Sequence, residues 1–536
     1  MAGTATFVLH THLPYCRLAG RWPHGEEWIH EALLECYLPL LRAFQDLSRS
    51  VEGTLGVTIN ITPILAEQLQ DPLIKRHFGE YLGERLRRAE DDTRRFPAGT
   101  RLHETALFHQ QRYARIESLW NGLSGDVVAA FAALEASGHI EIATCAATHG
   151  YLPLLADDAA IRFQVETGVR SHVRNFGRRP RSFWLPECAY RPGLERFLEE
   201  AGIKVFFVET HLVTGGTARG KALGGMVGPY PPLGPSDRRP ADAGPHRGTT
   251  FRPYWVGDSK VSVMARNEQT GQQVWSAEHG YPGDGAYREF HRKDAQSGLH
   301  YWRVTGAGVD LGDKAEYDPA AASNMARSHA SHFASLLKRE LYLYESGARE
   351  HGNLMASYDT ELYGHWWLEG VEWLQNVIAN LASDPDVTLA TAEAIVRDDP
   401  PVASIQLPEG SWGAGGDHRT WMNDQTAWTW PEIHRRQQRA HQLLAADSAE
   451  SRQLARELLL LQASDWQFLM TTGQANEYAV ERFNSHCARF DAIAGAIESG
   501  NPAFGSELSQ LEHLDNPFPA IEPRLYSPDA SGVFAR

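Results

Sequence analysis

The sequence predicts an α/β protein in which helices cover a parallel sheet, followed by a C-terminal helical domain. Short apolar, β-rich runs recur through the first 400 residues, and helical stretches such as 27–47 and 192–201 separate several of them. No strand-like run follows Pro400, where helical patterns dominate. Strands that alternate with helices form parallel sheets, which are open or closed into a barrel. In both forms the polar residues at the carboxyl ends of the strands mark the active-site face.

Individual elements follow from the same pattern. Seven short runs predict strands, at 6–10, 53–61, 140–144, 181–185, 205–208, 261–265 and 353–357. A charged region with helical period at about 64–136 predicts a helical insertion. A Gly- and Pro-rich region at about 215–252 is too long for a simple connection and predicts a lid loop.

The length of the chain and the change of pattern after Pro400 predict the domain organisation. We expect a catalytic domain over residues 1–400 and a helical domain over residues 401–536 that contributes to the same site. Two helices of the second domain are predicted at 431–444 and 448–469.

The composition excludes several classes of partner. The formal net charge of −16 at pH 7 disfavours nucleic acids and anionic membranes, because the summed field repels them. The five cysteines are odd in number and form no CxxC pair, which is typical of a reducing cytoplasm. The N-terminus lacks a signal-peptide pattern, and no apolar run approaches the roughly 20 residues of a membrane span. We expect a soluble, cytoplasmic protein with a neutral substrate.

Glu187 is the first candidate catalytic residue. In the segment RSFWLPECAYRP it follows a strand-like run, and Pro186 before it favours an extended chain. The purely structural alternative is that Glu187 caps the helix predicted from Pro192. The flanking Trp184 and Tyr190 are poorly suited to a solvated cap and therefore favour a functional role.

Asp359 is the second candidate. It ends an apolar run in NLMASYDTELYGHWW and is followed by Glu361, His365 and the pair Trp366 and Trp367. A carboxyl group among aromatic rings and another acid keeps its proton to higher pH, as a general acid must. The structural alternative is a helix N-cap at Asp359. Cleavage of a glycoside requires two such carboxyl groups.

His10 and His12 lie two residues apart on a predicted strand, so their side chains point the same way. Such a pair suits a metal, but metal sites use three or four ligands and no third ligand lies close in sequence. His149 and Asp359 could complete a set only through tertiary contact. We therefore predict no metal, and assign the histidines to sugar hydroxyls or to a catalytic carboxylate.

Several segments resemble glycoside hydrolase family 57, and within it the 1,4-α-glucan branching enzymes. Five carry the resemblance: LHTHLPY (9–15), GVTINITPILAEQL (56–69), FWLPECAYRP (183–192), SYDTELYGHWWLEG (357–370) and WMNDQTAWTWPEIH (421–434). THGYLPLL (148–155) and ASDWQFLMTTGQA (463–475) strengthen it. The resemblance runs through the whole chain.

The resemblance implies an incomplete TIM-like (β/α)7 barrel with a helical domain, and a retaining mechanism without metal or cofactor. It implies that Glu187 is the nucleophile and Asp359 the general acid/base. The residues implied or proposed to bind substrate are Arg266, Gly283, Trp412, Asp465, His10, His12, His149, Trp366 and Tyr230. Tyr230 is the candidate nearest to a lid-tip tyrosine that the related enzymes carry and that this sequence lacks at the tip itself. The implied ligands are α-glucan donor and acceptor chains, bound by a monomer or small homo-oligomer.

Other functions remain open at this point. Within the family, a 4-α-glucanotransferase and an α-amylase or amylopullulanase share the same chemistry and differ in the product. A metal-dependent polysaccharide deacetylase would explain the two histidines of β-strand spacing. A non-catalytic glycan-binding module would need aromatic residues but no proton donor, so the paired acids count against it.

Overall fold

The computed structural model describes residues 3–215, 248–275, 280–501 and 504–526. Most of the predicted lid loop, including Tyr230, lies outside the described residues. Within the described ranges, none of the helices has the length and apolar character needed to cross a membrane.

A parallel sheet forms the centre of the protein. The strands of the described chain are β1 (Gly3–Thr11), β2 (Val57–Ile61), β3 (Ile140–Cys145), β4 (Ser182–Trp184), β5 (Val205–Val208), β6 (Tyr254–Val256), β7 (Ser262–Ala265), β8 (Gly352–Asp359), β9 (Val387–Leu389) and β10 (Ser404–Ile405). In the order β8, β1, β2, β3, β4, β5 and β7, seven of them pair side by side in parallel. These seven are the strands predicted from the sequence.

The sheet is a curled, incomplete barrel. Its outermost parallel strands approach each other where the backbone N–H of Asn267, just after β7, donates to Met355 O on β8 at 3.0 Å. Three short strands of the described chain complete the sheet. β6 pairs antiparallel with β7, β10 pairs in parallel with β6, and β9 pairs in parallel with β1. The expectation that no strand follows Pro400 is therefore wrong. A two-residue strand such as β10 has no recognisable sequence period.

Helices surround the sheet. They are α1 (Glu26–Ala32), α2 (Leu38–Leu47), α3 (Pro63–Gln70), α4 (Pro72–Arg95), α5 (Arg101–Gly122), α6 (Val127–Ala136), α7 (Asp158–Phe176), α8 (Glu195–Glu200), α9 (Thr210–Thr214), α10 (Glu268–Trp275), α11 (Pro319–Ala348), α12 (Gly370–Ala382) and α13 (Ala392–Asp398). A π-helical turn, Leu33–Tyr37, joins α1 to α2 without interruption.

Local sequence sets the start of the long helices. Asp71 accepts hydrogen bonds from backbone N–H groups of the first turn of α4, and Pro72 occupies its first position. Asp318 and Pro319 repeat this arrangement at the start of α11. A capping acceptor followed by proline is a common helix start, because proline lacks only an N–H that would be unpaired there.

The C-terminal domain consists of α14 (Thr429–Leu443), α15 (Ala449–Leu461), α16 (Asp465–Thr472), α17 (Asn476–Ser499) and α18 (Gly505–Leu514). The single helix predicted at 448–469 is in fact two, broken at 462–464. At the break Ser464 N–H donates to His149 O at 3.0 Å, and Ala463 pairs with Gly150 in an antiparallel bridge. Tertiary contacts with the barrel therefore end α15 and start α16.

One hydrophobic core is shared by the barrel and the helical domain. Phe183 and Trp184 of β4, Leu458 of α15 and Phe490 of α17 all belong to the same buried cluster. The helical domain is therefore packed onto the barrel and holds the start of α16 against the carboxyl ends of its strands.

Candidate active site

A cavity of about 360 Å³ opens at the carboxyl ends of the strands. Eight of the predicted site residues line it: His10, His12, His149, Glu187, Asp359, Trp366, Trp412 and Asp465. They come from β1, the segments after β3, β4 and β8, the loop before α14 and the start of α16. Parallel strands bring such distant residues together because their carboxyl ends share one edge.

Glu187 has a constrained backbone conformation. Its backbone is left-handed, with φ 61° and ψ 22°, and the following residue Cys188 also has a positive φ of 47°. Non-glycine residues adopt this conformation at a cost, and they cluster at functional sites. Glu187 Oε2 accepts a hydrogen bond from Trp412 Nε1 at 2.7 Å, and Oε1 accepts one from Ser464 Oγ at 3.0 Å. Glu187 does not cap α8, which begins at Glu195.

Backbone pairing places Trp412 beside the carboxylate. The backbone N–H of Trp412 donates to Glu187 O at 3.1 Å, and two hydrogen bonds join Tyr190 and Gly410. A Cβ at Gly410 would lie 2.8 Å from Gly416 O, so glycine is required for this close approach. The loop before α14 therefore runs antiparallel to the segment after β4.

Asp359 is the last residue of β8 and the register partner of His10 on β1. It precedes a single 3-10 turn and makes no capping hydrogen bond to it, so the helix-cap alternative finds no support. Two residues later, Glu361 Oε1 accepts hydrogen bonds from Tyr37 OH at 2.6 Å and from His12 N–H at 3.3 Å. Burial, with the Asp359 charge, raises the pKa of Glu361 to about 7.

The π-helical turn holds the segment after Asp359. Glu35 Oε2 lies 2.8 Å from His365 Nδ1. The next residue, Cys36, donates from Sγ to Thr360 O at 3.0 Å, and Tyr37 OH donates to Glu361 Oε1 at 2.6 Å. π-Helical turns are frequent at functional sites.

Glu35 is the buried centre of this contact. Arg288 Nη1 lies 3.3 Å from Glu35 Oε1, and His365 Nδ1 lies 2.8 Å from Oε2. Burial alone would raise the pKa of Glu35, but the charge of Arg288 and the His365 hydrogen bond hold it well below its usual range. The Glu35 carboxylate therefore stays ionised beneath the site. The backbone packs closely here as well, because a Cβ added at Gly364 would lie 1.9 Å from Glu35 O.

The three histidines form one stacked group. Ring centroids lie 5.1 Å apart for His10 and His149 and 3.9 Å apart for His12 and His149. His12 Nε2 pairs with Asp465 Oδ1 at 3.0 Å. Burial alone would lower the pKa of His12, but Asp465, together with Glu187, raises it above its usual value.

Donor atoms of His12, His149 and Asp465 lie within 4.8 Å of one another. The metal-dependent alternative needs such a set. Here His12 is paired with Asp465, and His149 Nδ1 lies 2.8 Å from Ser464 Oγ. We assign no metal ligand, and the absence of a metal from the reaction stays a prediction.

Two of the predicted site residues that the structure describes, Arg266 and Gly283, do not line the cavity. Arg266 lies behind Trp412, with its guanidinium 5.8 Å from that ring and an ion pair to Glu209 at 2.7 Å. Gly283 is exposed at the end of a short turn. Any contact of Gly283 with substrate lies outside this cavity.

Other residues in or beneath the cavity escaped the sequence analysis. Ser464, which hydrogen-bonds to Glu187, was placed inside a continuous helix, so its contact with Glu187 had no sequence signal. Asn60 was a usable signal, because it is a polar residue in the otherwise apolar run GVTINI. Trp28, Trp275 and Phe290 also line the cavity. Their aromatic character alone does not separate wall from core.

Two carboxyl groups, three histidines and several tryptophans around a cavity at the carboxyl edge of a parallel sheet define a carbohydrate-active barrel enzyme. The sequence comparison agrees. The chain belongs to glycosyl hydrolase family 57, whose profile matches residues 6–408. A second profile, described as 1,4-alpha-glucan branching enzyme, C-terminal, matches residues 432–526. The family inferred from the sequence motifs is confirmed.

Individual relatives cover nearly the whole chain. A 1,4-alpha-glucan branching enzyme of Thermococcus kodakarensis is 43% identical over 97% of this chain and 78% of its own length. The crystal structure of a branching enzyme of that organism superposes with a TM-score of 0.91 at 42% identity, covering 99% of this chain and 97% of that one. The alpha-amylase AmyC of Thermotoga maritima superposes with a TM-score of 0.84 at 27% identity, covering 99% and 100%. The incomplete (β/α)7 barrel with a helical domain is confirmed.

Proposed function

We propose that this chain is a 1,4-α-glucan branching enzyme that cleaves an α-1,4 linkage and transfers the released chain to a 6-hydroxyl. The observation that carries the proposal is the branching-enzyme C-terminal profile at 432–526. The matched domain contributes Asp465 to the wall of the two-carboxylate cavity and Ser464 to a hydrogen bond with Glu187. Donor and acceptor are both α-glucan chains.

The geometry supports a division of roles between the two carboxyl groups. Glu187, oriented by Trp412 and Ser464, attacks the anomeric carbon and forms a glycosyl ester, while Asp359 protonates the departing glycosidic oxygen. Asp359 then removes the proton from the acceptor hydroxyl as that oxygen displaces Glu187. Neither step requires a cofactor.

Transfer competes with hydrolysis, because water is also an acceptor. Among the described residues, six large aromatic side chains line the cavity: Trp28, Trp275, Phe290, Trp366, Trp412 and Phe468. Such faces bind sugar rings and exclude water from the glycosyl ester. An acceptor chain held against these rings therefore outcompetes water.

The product linkage tests the proposal directly. The protein is incubated with amylose, one half of the product is debranched, and chain ends are compared with the reducing ends formed before debranching. A branching enzyme yields many new chains on debranching and few free reducing ends. Products that debranching does not change would rule out branching.

An α-amylase activity is the second candidate, favoured by the superposition with AmyC. It predicts free reducing ends in proportion to cleavage and no new α-1,6 linkages. A 4-α-glucanotransferase would instead give longer linear chains, which the same assay distinguishes. Tyr230, the proposed lid tyrosine, lies outside the described residues.

A further inference from the structure

Four hydrogen bonds link a buried asparagine to the nucleophile. Asn60 Oδ1 lies 2.7 Å from His10 Nδ1, and His10 Nε2 lies 3.2 Å from His149 Nε2. His149 Nδ1 lies 2.8 Å from Ser464 Oγ, which lies 3.0 Å from Glu187 Oε1. These five side chains, all buried, are called the relay below.

Both ends of the relay are hydrogen-bond acceptors. Asn60 Nδ2 donates to Ala143 O at 3.1 Å, so the oxygen of this amide faces His10. Glu187, when ionised, has no hydrogen to donate. Four hydrogen bonds need four hydrogens, whereas two neutral imidazoles and one hydroxyl supply three. One more proton is therefore required, on a histidine or on Glu187.

A carboxylate must be ionised to act as a nucleophile, so Glu187 does not hold this proton in the reactive state. We propose that His10 holds it as an imidazolium, which completes the relay and keeps Glu187 ionised and oriented. His10 then donates from both ring nitrogens, His149 donates from Nδ1 to Ser464, and Ser464 donates to Glu187. His10 is a positioning residue in this scheme, since it acts on Glu187 through the other two. The inference rests on the proposed role of Glu187.

The surroundings favour His10 over His149 as the site of the charge. The His149 ring stacks on His12 at 3.9 Å, and His12 itself has a raised pKa, so a charge on His149 would meet a like charge. The His10 ring is 5.9 Å from His12 and lies parallel to Trp184 at 4.6 Å. A cation is stabilised over the face of tryptophan.

Acidic groups surround the relay on several sides. Asp359 is the register partner of His10 on the neighbouring strand β8. His149 Nδ1 lies 3.7 Å from Glu187 Oε1. The other titratable side chains on the packed elements are His12 just after β1, Cys145 on β3, Tyr151 and Cys188 in the loops, Glu361 after β8, Asp465 on α16, and Arg266 with Glu209 behind Trp412. Burial keeps the thiol of Cys145 and the phenol of Tyr151 neutral by raising each pKa. A cation among these acids is therefore electrostatically favoured.

Neutron diffraction from deuterium-exchanged crystals tests the proton count directly. We expect deuterium on both ring nitrogens of His10, on Nδ1 alone of His149, and on neither oxygen of Glu187. A single deuteron on His10 would overturn the proposal, whether the missing one lies on His149, on Glu187 or nowhere. The count does not depend on the product the enzyme makes.

The pH profile of Asn60 variants supplies a second test. In Asn60→Leu the far acceptor is gone, and three neutral groups satisfy the three remaining hydrogen bonds. His10 is then neutral, and Glu187 without the nearby positive charge takes up a proton more readily. The acid limb of kcat/KM for glucan cleavage, which requires ionised Glu187, should therefore move to higher pH by about one unit, which is a loss of about tenfold on that limb. Asn60→Asp keeps an acceptor at this position and should leave the acid limb near its wild-type position.

Ile59→Val is the matched control for Asn60. It truncates a buried neighbour on the same strand and leaves the relay intact, so it should lower stability slightly and leave the acid limb in place. A purely structural role of Asn60 would lower the rate equally at every pH, and that result would refute the charge. Wild-type protein that cleaves without branching would refute the proposed function, while leaving the deuteron count and the pH limb to decide this inference.

Discussion

Trp412 Nε1 donates a 2.7 Å hydrogen bond to Glu187 Oε2, although 225 residues separate the two in sequence. The bond fixes one carboxylate oxygen, and Ser464 fixes the other. The proposed nucleophile is therefore held in a single orientation before substrate binds, which lowers the entropy cost of the proposed attack.

Trp412→Phe should keep the aromatic wall and remove this hydrogen bond. A hydrogen bond to a charged acceptor contributes about 1.5–3 kcal/mol, so we expect kcat/KM for maltooligosaccharide cleavage to fall about 10- to 100-fold. Trp421→Phe is the matched control, because Trp421 is equally buried and its Nε1 has no hydrogen-bond partner in the described chain. Equal losses in the two variants would show that packing, and not the bond to Glu187, matters.

Asp359→Asn should be nearly inactive on glucan, since the leaving oxygen loses its proton donor. A maltosyl fluoride needs no such proton, so it should react with Glu187 and leave a stable glycosyl ester, because the base of the second step is also missing. Mass spectrometry of proteolytic peptides should find the adduct on Glu187. An adduct on another acid, or none with active fluoride, contradicts the division of roles.

The sequence predicted what depends on local pattern. Each of the seven parallel strands has a short apolar run, and polar residues at the strand ends identified Glu187, Asp359 and His10 as neighbours. Strand ends are informative because the carboxyl ends of parallel strands share one edge, where the active site of such a barrel lies.

Long-range contacts could not be predicted. The segment LLLLQASDWQFL has helical propensity throughout, and it is interrupted where Ala463 and Ser464 pair with Gly150 and His149 of the barrel. Likewise Glu35 gave no signal, because its partners Arg288 and His365 are 253 and 330 residues away. Such pairs depend on the completed fold.

Glu35→Gln should destabilise the protein, because it leaves the buried Arg288 without its counter-charge. Breaking a buried ion pair costs about 3–5 kcal/mol. The folded-state pKa of Glu35 is depressed, so its stabilising contribution is present above its usual pKa of 4.5 and is lost as the pH falls below that value. Urea unfolding should thus show a large difference from wild type at pH 7 and a smaller one near pH 4.

Asp46→Asn is the control for Glu35→Gln. Asp46 lies on the same continuous helical stretch but forms ion pairs with the exposed Arg42 and Arg49. Exposed pairs contribute about 0–1 kcal/mol, so its loss should be small at both pH values. A Glu35→Gln protein as stable as Asp46→Asn at pH 7 would show that Arg288 finds another partner.

Chelation should leave the activity unchanged. Neither proposed catalytic step uses a metal, and His12 and Asp465 are paired with each other. Dialysis against EDTA followed by the cleavage assay should give wild-type rates, and elemental analysis should find no stoichiometric zinc. Loss of activity that added zinc reverses would instead support metal binding at His12, His149 and Asp465.

Glu361→Gln should change how stability depends on pH. The pKa of Glu361 is raised to about 7 from a usual 4.5, so between these values the folded protein holds a proton that the unfolded chain has lost. Wild-type stability therefore falls as pH rises from 4.5 to 7. The upper bound on this fall is about 3 kcal/mol, and the actual fall is smaller because the carboxyl group borders an open, solvent-accessible cavity. The amide oxygen that the substitution introduces can accept from Tyr37 and His12 N–H without titrating. Unfolding at pH 4.5 and 8 should show the variant gaining stability relative to wild type at the higher pH, whereas a pH-independent difference would mean that Glu361 is ionised throughout.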